Sequence, residues 1–168
     1  MKIQIKNRFT GLVIFEYVCE NNTIKITVEK AVSLKINLSG SNLSGSNLRG
    51  SIINENTFGF VINCPEIGLF TAFKGASGKI VKLLIPEDSK RSSATTFKCR
   101  CSKATVLSIE NLDGSDSGLT KVSSNYDSSF VYEVGKTVEV LDFDENRWDE
   151  CSTGIHFFMS REMAKQYN

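Results

Sequence analysis

Ile36-Asn-Leu-Ser-Gly-Ser-Asn-Leu-Ser-Gly-Ser-Asn-Leu-Arg-Gly-Ser-Ile-Ile-Asn-Glu-Asn-Thr-Phe-Gly-Phe60 sets Leu38, Leu43, Leu48, Ile53 and Phe58 at every fifth position. That period is neither the 3.6 of an α-helix nor the 2 of a strand, so an ordinary amphipathic reading fails. A short fixed repeat predicts a solenoid, in which each turn buries its central residue against the turn before. Small residues, Ser41, Ser46 and Ser51, stand two positions before three of the central ones. So short a tract cannot bury a continuous core by itself, and its flanks must supply the remainder.

The tract resembles the pentapeptide-repeat family, which implies a four-sided right-handed β-helix with Leu or Phe pointing inward. Long members of that family mimic duplex DNA, which takes length and an acidic face. Here Arg49 and Glu55 are nearly the only charges of the tract. A spacer or a dimerisation surface is the role expected instead.

Working outward, residues 1–35 read as a hairpin and a capping helix. Ile3 and Ile5 alternate, Arg8-Phe-Thr-Gly11 turns, and Leu12, Ile14 and Phe15 return, so Lys2 to Lys6 should pair with Leu12 to Val18. Asn21-Asn-Thr23 can cap a helix from Ile24 to about Ser33, with Ile24, Val28, Ala31 and Val32 as its buried stripe. Such a helix would cover the open end of the coil in residues 36–60 and hide its unpaired edge. Residues 61–168 then read as a β-rich unit, with strands around Phe70–Lys74, Lys79–Ile85, Lys103–Ile109, Phe130–Tyr132, Thr137–Leu141 and Gly154–Met159. Ser160 caps a final helix, Arg161 to Gln166. The fold class expected is α+β and β-rich, with the hairpin and helix capping a short β-helix coil ahead of the C-terminal domain.

Composition narrows the function. The 168 residues carry a net charge of +1, so no global attraction to nucleic acid or membrane is expected. No apolar run approaches the ~18 residues of a membrane span. Cys19, Cys64, Cys99, Cys101 and Cys151 are odd in number and lack a framework spacing, which reads as reduced thiols in a cytoplasm. Cys99 and Cys101 are too close for an ordinary zinc knuckle and the chain holds one histidine, so no metal or other cofactor is expected.

Two segments could carry chemistry. Lys90-Arg-Ser-Ser-Ala-Thr-Thr-Phe-Lys-Cys-Arg100 holds four cations and four hydroxyls without a carboxylate. Guanidinium forks and hydroxyl donors at a strand exit suit an anion, with Arg91, Ser92, Ser93, Lys98 and Arg100 as candidate contacts. The bland alternative is a solvated loop. No glycine falls within the segment, so it is not a P-loop. The second segment runs from Asp142 to Phe158 and contains the single tryptophan, Trp148, and the single histidine, His156. On a strand, His156 points opposite to Ile155 and Phe157, either lining a cleft or satisfied in a core. Cys151 with His156 as base is an alternative, though catalytic partners meet in space and not in sequence. Asp142, Asp144, Glu145, Asp149 and Glu150 could hold a carboxylate site or simply face solvent.

Ile80 to Thr95, Lys98 to Leu107 and Asn146 to Phe158 widen the resemblance. They look like the uncharacterised domain that follows pentapeptide repeats in many bacteriophage and giant-virus proteins. The matching pattern includes Arg91, Lys98, Cys99, Arg100, Trp148, Cys151, Gly154 and His156. Relatives often carry longer repeat tracts, so this chain looks like a shortened form. The resemblance implies a viral setting and no particular reaction. Together these readings lead to a non-enzymatic phage-type protein of the host cytoplasm. It would sequester a small anionic, nucleotide-like ligand and so blunt a host defence signal, with enclosure supplied by a homo-oligomer. Trp148 or Phe157 would stack on the base. The competing expectations are a transferase or hydrolase working through His156, and a solenoid that inhibits a host protein.

Overall fold

A computed structural model describes residues 1–38, 40–43, 63–94 and 96–168. The N-terminal hairpin pairs β1 (Lys2–Lys6) with β2 (Val13–Val18), and a bulge falls between Ile5 and Lys6. Its turn is built on Asn7, whose Oδ1 accepts from the backbone of Phe9 and Thr10. Helix α1 (Ile24–Ser33) begins at Thr23, whose side chain accepts from Ile26 N. Asn22, almost wholly buried, ties the helix to β2 by donating to Tyr17 O and accepting from the Thr27 hydroxyl.

The expected solenoid coil is not found among the described residues. The architecture is a set of small antiparallel sheets with two short helices, and the described residues contain no β-helix. Residues 44–60 of the five-residue repeat lie outside the described residues. Where the tract is described, its head lies against the hairpin. Asn42 N donates to Lys6 O, and Ser41 bridges Asn7. Leu38 and Leu43 do point inward, five residues apart, but into a cluster with Ile5, Val28, Ala31, Ala94 and Trp148. Among the described residues, helix α1 packs on β1 and β2. The physical reason is that one hairpin face and one helix stripe already provide a lid for the first two leucines, so no stacked turn is needed to cover them.

The larger unit begins with β3 (Phe70–Ala76) and β4 (Lys79–Ile85), continuing to β7 (Lys103–Glu110) and β10 (Thr137–Glu139) in the antiparallel order β10-β7-β4-β3. A second sheet orders β11 (Ile155–Phe157), β6 (Cys99–Cys101) and β5 (Arg91–Ser93) as β11-β6-β5. The sheets are continuous at two points. β6 runs into β7 through Ser102, and Phe158 bridges Phe73 of β3. Alternation puts Val81, Leu83, Ile85, Ala104, Val106, Cys99, Cys101, Ile155 and Phe157 in one shared core.

β8 (Lys121–Ser123) and β9 (Val131–Glu133) form an outlying ribbon that adds Val122 and Tyr132 to this core. Helix α2 (Arg161–Gln166) covers the other face of β3 and β4, where Phe73, Ile80, Phe158 and Ala164 pack. It approaches so closely that a Cβ on Gly75 would lie 2.9 Å from Ala164 O. None of the described helices is long and apolar enough to cross a membrane.

Candidate functional site

The three-stranded sheet has two faces, and the register decides which candidate residues share one. Ser92, Arg100 and His156 are cross-strand partners in a single row. Arg91 pairs with Cys101 and Ile155 in the adjacent row, so the pleat turns it to the opposite face. The cations expected to converge are therefore divided by the sheet.

Both arginines are consumed by backbone. Arg100 is 1% exposed, and its guanidinium donates to Asp144 O, Thr153 O and Asn146 O at 2.6 to 2.9 Å while lying over the Phe143 ring. Burial pulls it below its ordinary range, opposed by neighbouring acidic groups. Gly154 makes room for this arrangement. Its φ is +146°, and a Cβ there would come within 3.2 Å of both Phe143 and Arg100 Cβ. On the other face, Arg91 donates to Pro65 O, Pro86 O and Glu87 O and lies over Phe70. Ser92 and Ser93 are buried, and Ser93 Oγ accepts from Asn63 N. Trp148 is 5% exposed within the hairpin–helix cluster and Phe157 is fully buried, so neither can stack on a ligand.

The acidic segment of residues 142–153 is a strap laid over the Arg100 face. Asp144 Oδ1 accepts from Asn146 N, and Glu145 pairs with Lys90. Glu150, almost buried, accepts from Thr96 N and Thr96 Oγ1 and pairs with Arg8 at 2.9 Å. These carboxylates fasten the strap to its surroundings and fasten the hairpin unit to the larger one. Among the described residues, no group of three or more potential ligands could hold a metal ion.

At the edge of the strap a different group assembles. His156 is half-buried, and its Nε2 lies 3.2 Å from Glu150 O. A carbonyl only accepts, so Nε2 carries the proton and Nδ1 of the neutral ring keeps its lone pair. Burial first, then the charges of Lys98 and Lys74, push the imidazole down to about 4. Lys98 Nζ donates to the exposed Cys151 Sγ at 3.0 Å. Lys74 Nζ donates to Gly75 O, and burial followed by the Lys98 charge holds it below the usual lysine range. Neither Lys74 nor Lys98 makes an ion pair with a described carboxylate. Lys74 was not among the residues singled out from sequence. The parity it shares with Ala72 and Ala76 along β3 was its one trace in the sequence, and the burial of both alanines emerges only with the fold.

With this geometry in view, the matches to known proteins are few. The family of unknown function DUF5758 matches residues 60–164, well over half of the chain, and the protein belongs to that family. No curated protein and no solved structure matches it.

Proposed function

We propose that this protein binds a small phosphate-bearing ligand, of nucleotide type, at Lys74, Lys98 and His156, and sequesters it without turning it over. The observation that carries this reading is two lysines bearing on one neutral imidazole with no described carboxylate paired to either. Like charges brought together at a half-buried edge repel one another, and an anion relieves that repulsion. Nδ1 adds a condition. It accepts a hydrogen bond, so the ligand should bring a donor beside its charge, as a protonated phosphate or a base amine does. Phe97, 55% exposed next to Lys98, is the aromatic surface on offer for a base.

Arg91, Arg100, Ser92, Ser93 and Trp148 support the site from behind and do not touch the ligand in this reading. A phage setting, a host defence signal as ligand and enclosure by a second copy of the chain belong to the same proposal. Calorimetric titration with ATP, ADP-ribose, a cyclic dinucleotide and inorganic phosphate tests it. Binding that Lys98→Glu weakens at least about tenfold is expected, since an ammonium on phosphate contributes of order 1.5–3 kcal/mol. Absence of heat with every anion, or binding indifferent to Lys98→Glu, overturns it.

A second reading takes the Lys98–Cys151 contact as the start of covalent chemistry, with His156 as the proton acceptor. Ligand released by heat decides between them. Intact ligand supports capture, whereas a changed ligand whose conversion stops in Cys151→Ser supports the enzyme.

A further inference from the structure

The segment from Asn63 to Glu66 is fastened across β5 and β6 at four points. Asn63 N donates to Ser93 Oγ and Asn63 Nδ2 to Thr96 O. Arg91 Nη1 donates to Pro65 O, and Arg147 Nη2 pairs with Glu66 at 3.0 Å while its Nε holds Ser93 O. This fixes Cys64 above Ser93, whose register partner is Cys99. Each thiol shifts the proton affinity of the other, and Cys99 Sγ also donates to Phe97 O at 3.7 Å. They are 6% and 0% exposed and belong to the same core.

We propose that Cys64 and Cys99 are a reversible dithiol–disulfide pair that locks residue 64 to the central strand β6 under oxidising conditions. The surroundings divide the roles. The Cys99 thiol, the Ser93 hydroxyl and the charges of Arg91 and Arg147 favour negative charge on Cys64 against the opposing effect of burial. The Cys64 thiol and burial keep the proton on Cys99. With hydrogen peroxide as oxidant, the Cys64 thiolate attacks one peroxide oxygen, the O–O bond breaks, and a sulfenic acid forms as hydroxide leaves. Cys99 sulfur then attacks the Cys64 sulfur, the S–O bond breaks, and the departing oxygen leaves as water. Two thiols and one peroxide give one disulfide and two waters.

Cys101 shares the sheet face of Cys99 but lies two rows away, opposite Arg91 instead of Ser93, and its Sγ donates to Ile155 O, so it is the poorer partner. The test treats the full chain with hydrogen peroxide at neutral pH, alkylates it in denaturant and digests it with trypsin. Cleavage after Lys98 and Arg100 separates Cys99 from Cys101. The expected product is the Cys64 peptide joined to the Cys99–Arg100 dipeptide, two hydrogens lighter and released by dithiothreitol. The melting temperature should rise by several degrees on oxidation, as expected for closing this loop, and Cys64→Ser should show neither change. Recovery of Cys64 and Cys99 separately alkylated, or of Cys64 joined to Cys101, overturns the proposal.

Discussion

Arg100 and Lys98 are two residues apart in one segment, yet they serve opposite ends. Beneath the strap, the Arg100 guanidinium is buried and meets three backbone carbonyls, so its charge is spent on holding the loop of residues 142–153. At the strap's edge, Lys98 and Lys74 are half-buried cations with no described carboxylate partner, bearing on a neutral imidazole. A planar fork satisfies several carbonyls at once and tolerates burial when it does so, whereas a flexible ammonium keeps its head toward water. The lesson is that a cation-rich segment can be mostly scaffold. What distinguishes the part proposed to bind is missing compensation and not charge density.

The sharpest way to break this contrast is Arg100→Met. Removing the fork leaves the Asp144, Asn146 and Thr153 carbonyls without their donor, and a loss of about 3 kcal/mol is expected by urea denaturation. A loss below about 1 kcal/mol would mean that the strap holds itself.

His156 gives an intermediate test. Its folded value of about 4 lies below the ordinary 6.5, so above pH 6.5 both folded and unfolded states hold a neutral ring. As pH falls from there toward about 4, the unfolded chain takes the proton first and stability declines. With a single histidine in the chain, His156→Gln should remove that component of the decline in melting temperature. An unchanged profile would show that the ring titrates normally.

The smallest effect is expected at Lys74→Met. Burial already disfavours this charge, so an apolar chain of similar length on the same strand face should be neutral or stabilising by up to about 0.5 kcal/mol. Anion binding should fall at the same time. Destabilisation beyond about 1 kcal/mol would move Lys74 to the structural side of the comparison.

Local signals were readable without coordinates. The hairpin follows from alternation around Asn7 to Gly11, and α1 starts at Thr23 because its hydroxyl can reach Ile26 N. The five-residue spacing correctly put Leu38 and Leu43 inward, yet it could not say what would meet them. Spacing encodes which side chains seek burial; the identity of the covering surface depends on hairpin, helix and strap arriving from distant positions. The site was legible only in part for the same reason. Lys98 and His156 stand out by residue type, while Lys74 was hidden in a strand and Arg91 was separated by a pleat whose phase no composition reveals.

By itself the sequence determined a β-rich chain with a capped helix, five cysteines without a framework spacing and a basic segment answered by an acidic one. Only the tertiary structure decided that the two segments meet chiefly through backbone carbonyls, that Cys64 and Cys99 share one core, and that Lys74 and Lys98 bear on the imidazole with no described carboxylate paired to either. Local preferences act over a few residues, whereas burial, pairing and unmet charge are settled by groups that come together across the fold.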